Sequence, residues 1–400
     1  MIQKTKVISE KVIFMGQLMN SRERVLKALN HQEPDMIPID LGSTENTSIA
    51  RVAYLRLRDY LNMGEDPSPY IINRMMDSVF PMDDLLDFYK VDFRPVRPSS
   101  SWKAVSIENP NGSFYDEMHI RWQKASYYYD MVEHPMQDFT LDQIIHTVMP
   151  DPFAPGRLAG VRDYAKSLYE NTDYAVVVGH ICWGPFELGC ALRGYEQFLV
   201  DLGSDPILAE TLLDKNLELA IKFWDAYLSE VGEYVQIVAQ GDDLGMQTGS
   251  IISPRMYQKF IKPRHKQLFN FIRSKTKAKI FLHSCGSVYN LIPDLIETGV
   301  EILSPVQFTA ANMDLARLKK DFGNDLTFWG GGVDTQQVLP HASLQEIRDN
   351  VSRNIDILAP GGGFVFVPVH NIQADIIPER IEAVYQTAIE KRRYPLGITS

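Results

Sequence analysis

The sequence is poor in cysteine and has fewer basic than acidic residues. Only three cysteines, Cys182, Cys190 and Cys285, occur in 400 residues, too few for a disulfide framework in a chain of this length. Lys and Arg total 40 against 51 Asp and Glu, which gives a formal net charge of -11. No overall positive field is therefore present to attract nucleic acid. These deficits predict a cytoplasmic protein with reduced thiols and no nucleic-acid partner.

The sequence also lacks the patterns of several large protein classes. Its longest nearly apolar stretch, residues 174–192, is interrupted by polar residues such as His180 and Glu187, so no membrane span is predicted. The N-terminus has no basic head, apolar run and small-residue cleavage site of a secretory leader. No Gly-x-Ser-x-Gly, P-loop or dinucleotide fingerprint occurs. These absences argue against the commonest hydrolases, kinases and nicotinamide enzymes.

What the sequence does contain is the pattern of a barrel of alternating strands and helices. Hydrophobic residues make up 45% of the chain and charged residues 23%, which suits a globular protein with a large core. Eight β-branched or aromatic runs are candidate strands: Met36–Leu41, Val91–Pro95, Ala175–Gly179, Tyr234–Ala239, Lys279–Leu282, Glu301–Leu303, Thr327–Trp329 and Phe364–Val367. Helical periods and caps lie between them, at Pro206–Glu230, Pro254–Lys275, Val288–Thr298, Met313–Asp321, Leu344–Leu358 and Glu379–Arg392. The pattern predicts an α/β fold of the (β/α)8 TIM-barrel type.

The barrel pattern is preceded by a short segment and interrupted once. Residues 1–18 form a predicted N-terminal extension, either a genuine extra helix or the result of an upstream start codon, and residues 19–400 are expected to form one barrel domain. Residues 99–151 are predicted to be an insertion after strand two, an antiparallel β-hairpin with its turn at 109–112. Its aromatic residues either line a ligand cleft or pack on the barrel mouth, and packing is the commoner arrangement. They are Trp102, Phe114, Tyr115, Trp122, Tyr127, Tyr128 and Tyr129.

Polar residues crowd the predicted carboxyl ends of the strands. In a barrel of parallel strands these ends open on one face, where the loops carry the reactive side chains. We therefore expect one pocket to be lined by residues that follow five different strands. They are Glu45 after strand one, His180 and Trp183 after strand three, Asp242 and Asp243 after strand four, His283 and Cys285 after strand five, and Gln307 after strand six.

His283 and Cys285 are the most specific pair among these residues. A His-x-Cys at the end of a buried strand places an imidazole and a thiolate on one loop, and zinc prefers such ligands. His370 follows strand eight and would supply a third ligand, since the loops of a barrel converge. Three protein ligands with one open position are typical of catalytic zinc. The alternative is structural: Cys285 would be a small buried residue and His283 would bind a backbone carbonyl.

Two adjacent carboxylates, Asp242 and Asp243, follow strand four. Side chains alternate along an extended chain, so one is expected to face the barrel mouth and the other to turn into the loop. The first would act as a base or as a fourth metal ligand. The alternative is that one carboxylate caps a helix and the other binds backbone amides.

Several motifs together resemble one known superfamily. They are Ser21-Arg-Glu-Arg-Val-Leu-Lys-Ala-Leu29 with Pro38 in the first strand, Asp242-Asp-Leu-Gly245 followed by Ser253-Pro254, His283-Ser-Cys-Gly286, Gly331-Gly-Val-Asp334, and Gly361-Gly-Gly363 leading to His370-Asn-Ile-Gln-Ala-Asp375. The chain resembles the uroporphyrinogen decarboxylase superfamily over residues 19–393. That superfamily has a second large branch of zinc-dependent methyltransferases, which exchange methyl groups with corrinoid proteins.

Two features of the sequence indicate which of the two branches this chain resembles more closely. The decarboxylases carry an Arg-Gln-Ala-Gly-Arg stretch after strand one that grips substrate carboxylates, whereas this chain has Asp40-Leu-Gly-Ser-Thr-Glu-Asn46. Arg94 and Arg97, after strand two, could still bind an anionic group of a substrate. The methyltransferases carry His-x-Cys at the position of His283 and Cys285, with a later cysteine where this chain has His370. The decarboxylases also have a histidine there, so the match to the methyltransferase branch is closer but partial.

The resemblance to the methyltransferase branch implies zinc-assisted transfer of a methyl group between a small methylated substrate and a corrinoid protein. His283, Cys285 and His370 would bind zinc, and His370 would also be catalytic. Asp242 or Asp243 would orient the substrate or complete the metal shell, while His180, Gln307, Glu45 and Trp183 would contact the substrate. The chain has no corrinoid-binding Asp-x-His-x-x-Gly, so the corrinoid would arrive on its partner. A homodimer is a further implication of the resemblance.

Two other functions remain open from the sequence. One is a metal-free decarboxylase or lyase acting on a small acid, with His370 and Asp242 or Asp243 as acid and base. The other is a non-catalytic barrel that binds a ligand or a corrinoid protein. Bound zinc would distinguish the methyltransferase from the lyase.

Overall fold

The computed structural model describes residues 18–97, 107–394 and 396. Most of the predicted N-terminal extension, residues 1–17, and residues 98–106 at the start of the predicted insertion, including Trp102, lie outside this part of the chain. No helix within the described residues is long and apolar enough to cross a membrane.

The described residues contain fourteen strands and fifteen α-helices. The strands are β1 (Ile49–Ala50), β2 (Tyr70–Asn73), β3 (Ser78–Phe80), β4 (Phe93–Pro95), β5 (Ile107–Glu108), β6 (Phe114–Tyr115), β7 (Arg121–Lys124), β8 (Tyr129–Glu133), β9 (Ala175–Val178), β10 (Ile237–Gly241), β11 (Lys279–His283), β12 (Ile302–Ser304), β13 (Thr327–Trp329) and β14 (Phe364–Val365). The helices are α1 (Ser21–Leu29), α2 (Arg51–Tyr60), α3 (Asp83–Phe88), α4 (Leu141–His146), α5 (Val161–Asn171), α6 (Pro185–Arg193), α7 (Tyr195–Ser204), α8 (Pro206–Val231), α9 (Pro254–Met256), α10 (Lys262–Lys275), α11 (Ile292–Thr298), α12 (Leu315–Phe322), α13 (Val338–His341), α14 (Leu344–Leu358) and α15 (Pro378–Lys391).

The main sheet of the described chain has seven parallel strands in the order β14, β13, β12, β11, β10, β9, β4. These strands are buried runs such as Ala-Val-Val-Val in β9, as expected for a parallel sheet covered on both faces. The sheet is curled. Phe93 of the edge strand β4 lies with its ring centroid 4.5 Å from that of Trp329 in β13, five positions away in the strand order, and Phe281 of β11 lies 5.3 Å from the same indole. Aromatic side chains from both ends of the sheet thus meet inside a half-barrel.

The predicted first strand, Met36–Leu41, is not a strand in the structure, so the sheet has seven strands where the sequence predicted eight. The segment still runs between the two edges of the sheet. Phe366 donates to the Pro38 carbonyl at 2.9 Å, and Asp92 donates to the Ile39 carbonyl at 2.9 Å. A regular ladder does not form because proline has no N–H to donate, and because the Ile39 N–H bonds to the side chain of Asp92 at 3.0 Å. Only isolated bridges remain.

An antiparallel sheet lies between β4 and β9 in the chain. Its four strands have the order β5, β6, β7, β8, where the sequence predicted a single hairpin. The turn between β5 and β6 contains Gly112 at φ +78°, a conformation that glycine adopts without strain. Cross-strand neighbours on this sheet include Phe114 and Trp122. The sheet therefore carries several of the aromatic residues that the sequence placed in the insertion.

The predicted helix Pro254–Lys275 is interrupted. It consists of α9, a π-helical segment at Tyr257–Ile261, and α10. Pro263, in the first turn of α10, has no N–H for the α-helical ladder. Such a residue distorts the hydrogen bonds of the preceding turn, which accounts for the break. The predicted helices Pro206–Glu230 and Leu344–Leu358 match α8 and α14 to within one residue.

Asp92 joins the two ends of the described chain at the start of β4. Its buried carboxylate accepts hydrogen bonds from Ser21 at 2.7 Å and from Arg24 at 2.6 Å, both in α1. It also accepts from Arg392, just after α15, at 2.7 Å, and from the Ile39 N–H. Arg24 also pairs with Asp35 at 2.8 Å, but Asp92 is the one carboxylate paired with Arg392 among the described residues, so its removal would leave that buried charge uncompensated.

We expect Asp92→Ala to lower the free energy of unfolding by about 3–5 kcal/mol, the usual cost of breaking a buried ion pair. Urea unfolding followed by circular dichroism measures the change. Asp356→Ala is the control, because Asp356 pairs with Lys391 at 3.1 Å on the surface and its loss should cost less than about 1 kcal/mol. Equal losses in the two variants would contradict the role given to Asp92.

Candidate metal centre and adjoining cavities

The ends of β10 and β11 lie side by side and position four candidate residues. Gly241, the last residue of β10, pairs in parallel register with His283, the last residue of β11. The N–H of Asp242 donates to the His283 carbonyl at 2.9 Å, which extends the ladder by one bond. The two loops therefore leave the sheet together. Asp243 on the first loop comes beside Cys285 on the second.

His283, Cys285 and His370 form a cluster in which the candidate ligand atoms all lie within 4.8 Å of one another. Cys285 Sγ is 3.3 Å from His283 Nε2, and the ring centroids of His283 and His370 are 5.8 Å apart. His370 reaches the cluster from the segment after β14. These three side chains, which the sequence predicted as metal ligands, are called here the candidate metal centre.

His370 is held by a small hydrogen-bond network. Its Nδ1 lies 2.6 Å from Asn371 Oδ1, so Nδ1 carries the proton and donates, which leaves the Nε2 lone pair free. The Tyr128 hydroxyl donates to the same Asn371 oxygen at 2.8 Å and accepts from Gln373 Nε2 at 2.8 Å. An imidazole oriented by a carbonyl oxygen on its second nitrogen is a common arrangement of metal-binding histidines.

Burial shifts the protonation of the three candidate ligands in a consistent way. Burial, together with the charges of His180 and His370, holds the pKa of His283 well below its usual value. Burial also lowers the pKa of His370. For Cys285, burial and the nearby carboxylates Asp243 and Glu187 raise the pKa well above its usual value. Both imidazoles are therefore neutral, and the thiol needs a cation to ionise.

The donor set fits a divalent cation such as zinc. The separation of 3.3 Å between Cys285 Sγ and His283 Nε2 is close to that of two ligands on one tetrahedral ion with metal bonds of about 2.0–2.3 Å. A bound cation would reverse the cost of ionising the buried thiol. Two neutral imidazoles and one thiolate leave a fourth position open.

Asp243 lies beside the candidate metal centre and holds its loop. The carboxylate oxygen Oδ1 accepts from the Cys285 N–H at 2.8 Å and lies 3.8 Å from His283 Nε2. Burial raises the pKa of Asp243 to about 6. Glu187, in the first turn of α6, lies close by, and burial together with Asp243 and Asp242 raises its pKa well above the usual value. Ionisation of Asp243 thus disfavours that of Glu187 next to the candidate metal centre.

Asp242 occupies a different environment from Asp243. Its carboxylate accepts from the Glu187 N–H at 2.7 Å, in the first turn of α6, and from His265 Nε2 at 2.8 Å. The side chains of Asp242 and His265 are both 0% exposed, and Tyr257 contacts the other nitrogen of His265 at 3.0 Å. This is the helix-capping geometry that the sequence left as an alternative. Asp242 lines neither of the two cavities described below.

Glu45 and His180 form a buried pair near the candidate metal centre. Glu45 Oε1 lies 3.1 Å from His180 Nδ1, and their side chains are 15% and 8% exposed. Burial opposes ionisation of Glu45, but the charge of His180 and its hydrogen bond hold the pKa of Glu45 below its usual value. His180 Nε2 is buried and has no hydrogen-bond partner among the described residues. The His180 ring centroid is 5.5 Å from that of His283.

A large cavity of about 600 Å³ adjoins the candidate metal centre. It brings together most of the polar residues predicted from the sequence: Glu45, His180, Trp183, Asp243, His283, Cys285 and His370. Four aromatic residues of the insertion also line it, namely Phe114, Trp122, Tyr128 and Tyr129. Phe114 and Trp122 are buried as well, so these side chains both pack and line a cleft. The sequence favoured packing alone for them.

A small cavity of about 440 Å³ lies on the other side of Tyr128, Cys285 and His370, the three residues that line both cavities. Gln307 lines the small cavity rather than the large one. Its Oε1 accepts from the Gly286 N–H at 2.8 Å. Gln307 is therefore separated from the other predicted substrate contacts by the candidate metal centre.

Sequence reasoning gave no role to three residues that shape this region, Glu187, His265 and Asn371, and it placed Tyr128 only among the aromatic residues of the insertion. The position of Asn371 directly after His370 is a signal that was available. Glu187 follows β9 like His180 and was detectable in the same way. Tyr128 lies in a turn of the insertion and His265 lies in α10. No local sequence motif indicates that either residue belongs to the site.

The chain belongs to the uroporphyrinogen decarboxylase (URO-D) family, whose model matches residues 131–390. A uroporphyrinogen decarboxylase from Psychromonas ingrahamii is 23% identical over 257 residues, which are 60% of this chain and 67% of that protein. In structure, the chain is similar to a methyltransferase from Methanosarcina mazei, with a TM-score of 0.64 and 16% identity over 93% of this chain and 99% of that one. The second likeness shows a shared fold.

We expect Asp242→Ala to lower the free energy of unfolding by about 3–5 kcal/mol, because it leaves His265 and the first turn of α6 without their buried acceptor. Asp243→Ala removes one hydrogen bond from a partly exposed carboxylate and should cost about 1 kcal/mol. Urea unfolding of the two variants measures the difference. A smaller loss for Asp242→Ala than for Asp243→Ala would contradict this assignment.

Proposed function

We propose that this protein is a zinc-dependent methyltransferase that moves a methyl group between a small methylated substrate and a corrinoid protein. The observation that carries the proposal is the cluster of His283, Cys285 and His370, with ligand atoms within 4.8 Å of one another, on the wall of a cavity of about 600 Å³. The shared fold with a protein described as a methyltransferase supports it. Membership of the URO-D family is compatible with it.

In this proposal the three ligands of the candidate metal centre hold zinc and leave one position for the substrate. Bound zinc would act as a Lewis acid on the heteroatom that bears the methyl group and make it a better leaving group. Asn371 fixes the tautomer of His370, and Asp243 fixes the backbone at Cys285. These hydrogen bonds would keep the ligand atoms in place during turnover.

The polar groups around the large cavity would position the substrate. His180, oriented by Glu45, offers its unpartnered Nε2 as a hydrogen-bonding group close to His283. Trp183 would pack against the body of the substrate. We assign Asp243 rather than Asp242 to the substrate or the metal shell, because both oxygens of Asp242 already accept hydrogen bonds from protein groups.

The small cavity would give the second reactant access to the same centre. Displacement at a methyl carbon requires the attacking and leaving atoms on opposite sides of that carbon, so two reactants need separate approaches to it. Cys285 and His370 line both cavities. The corrinoid of the partner protein would therefore approach past Gln307.

A metal-free decarboxylase is the second candidate, and the description of the URO-D family favours it. Such an enzyme needs cations to grip substrate carboxylates. Arg94, one of the two arginines that left anion binding open, is bound to Asp83 at 2.6 Å and to Asp87 at 2.5 Å. Neither Arg94 nor Arg97 lines the large cavity, and Arg74 is the one arginine or lysine among its described lining residues. The decarboxylase is therefore less well supported than the methyltransferase.

We expect untagged protein to contain about one zinc per chain, and Cys285→Ala to lose it, because a ligand set reduced to two histidines binds zinc weakly. Plasma mass spectrometry measures the content. Cys190→Ala is the matched control, since Cys190 is a buried thiol in α6 outside the candidate metal centre, and it should retain the metal. Wild-type protein without metal would contradict the methyltransferase and favour the decarboxylase.

We expect Asn371→Ala to weaken zinc binding by about 10–100-fold, the usual effect of removing the group that orients a metal-binding histidine. Competition with a chromogenic chelator measures the affinity. Tyr128→Phe removes a hydrogen bond to Asn371 but keeps the contact between Asn371 and His370, so it should have a smaller effect. Unchanged affinity in Asn371→Ala would show that His370 does not depend on this contact.

A further inference from the structure

The large cavity has an aromatic wall on the side of the antiparallel sheet. Phe114, Trp122 and Tyr129 come from the successive strands β6, β7 and β8 and line the cavity. Trp183, from the segment after β9, lies with its ring centroid 6.2 Å from that of Trp122 and with the two ring planes 30° apart. Large apolar rings in a concave site suit a ligand with a flat apolar body.

Methionines complete this part of the lining. Met75 and Met76, between β2 and β3, and Met118, between β6 and β7, line the same cavity. Thioether side chains adapt to the shape of a ligand and make favourable contacts with aromatic rings. The wall therefore accommodates an aromatic ring better than a strongly hydrated group.

The acidic side chains on this wall already have partners within the protein. Asp116 accepts from Trp122 Nε1 at 2.8 Å and from two backbone N–H groups at 2.9 and 3.0 Å. Glu117 pairs with Arg157 at 2.6 Å. Neither carboxylate needs a cationic ligand to satisfy it, so this end of the cavity does not call for a positive charge.

Cations that would bind an anionic ligand are scarce in the same cavity. Among the described lining residues, Arg74 is the only arginine or lysine, and its guanidinium carbon lies 3.9 Å from the ring centroid of Phe114. Asp243 and Glu187 line the cavity next to the candidate metal centre and offer no counter-charge to an anion. An anionic substrate would therefore find no cationic side chain beside the candidate metal centre, and a cationic one would be repelled by a metal ion held there.

We propose that the large cavity binds an uncharged aromatic compound with a methylated heteroatom, the ring lying against the wall formed by Trp122 and Trp183 and the heteroatom directed to the candidate metal centre. This substrate class rests on the proposed methyl-transfer function. The proposed class excludes polycarboxylates, which the decarboxylases bind through the arginine-rich stretch that this chain lacks.

Three ligands of one shape and different charge test the proposal: 4-methylanisole, 4-methoxybenzoate and 4-methoxybenzylammonium. Isothermal titration calorimetry with the untagged, zinc-loaded full chain measures each dissociation constant. We expect 4-methylanisole to bind at least about tenfold more tightly than either charged analogue. Tighter binding of the benzoate or of the ammonium compound would overturn the proposal, as would binding of none of the three at millimolar concentration.

A charge introduced into the wall tests the location. Met76→Lys should raise the affinity for 4-methoxybenzoate by about tenfold or more and lower that for the ammonium compound. Met82→Lys is the matched control, because Met82 is 42% exposed and does not line the cavity, and it should leave all three affinities unchanged. Met76→Gln keeps the side chain uncharged and shows whether loss of the thioether alone alters binding. An unchanged benzoate affinity in a folded Met76→Lys protein would overturn the assigned site.

The binding measurements separate this proposal from the proposed function. They do not require methyl transfer, so a preference for 4-methylanisole supports the substrate class even if no methyl group reaches reduced cobalamin in a parallel assay. That second result would count against the methyltransferase alone. A preference for the benzoate, combined with methyl transfer from it, would overturn the substrate class and leave the methyltransferase in place.

Discussion

The parallel register of β10 and β11 is the constraint on which the candidate metal centre depends. Gly241 lies opposite His283, so the two loops leave the sheet at the same height. The carboxylate of Asp243 can then bind the Cys285 N–H, and that of Asp242 can bind the helix α6 and His265 behind it. One carboxylate fixes the loop that carries two candidate ligands, and its neighbour fixes the scaffold. Asp242 and Asp243 thus bind different parts of the protein, because successive side chains point to opposite faces at the end of a strand.

The curl of the sheet brings the third candidate ligand to the other two. β14 is the edge strand farthest from β4 in the sheet order, yet Phe93 and Trp329 touch inside the half-barrel. The segment after β14 therefore reaches the same opening as the loops after β10 and β11. His370 arrives there with its tautomer set by Asn371. The resulting wall of Tyr128, Cys285 and His370 faces two cavities, which suits a reaction between two separately bound partners.

Much of the sheet and of the site could be predicted from the sequence, because both depend on local patterns. Buried β-branched runs located seven of the strands, and the position of His283, Cys285 and His370 at strand ends predicted their approach. The failures have specific physical causes. Pro38 and the side chain of Asp92 prevent a regular ladder in the first segment, and Pro263 breaks a helix whose period looked continuous. Gln307 follows a strand like the other polar residues, but it faces the small cavity.

Contacts between distant segments account for the rest. Nothing in the sequence near Tyr128 indicates that its hydroxyl meets Asn371, 243 residues later in the chain. The pairing of Glu45 with His180 likewise joins two loops that share no motif. Whether aromatic residues pack in the core or line a cleft depends on the distant segments that they contact. Trp122 and Trp183 lie far apart in the sequence, and only the structure shows that their rings lie side by side.

X-ray absorption spectroscopy at the zinc edge reports the atoms bound to the metal and so tests whether His283, Cys285 and His370 are its ligands. We expect the zinc-loaded protein to show one sulfur neighbour at about 2.3 Å and two imidazole nitrogens at about 2.0–2.1 Å, with a light atom in the remaining position. Addition of a methylated substrate should change only that remaining position. A spectrum without sulfur, or one that is the same in Cys285→Ala, would contradict the assignment of His283, Cys285 and His370 as the metal centre.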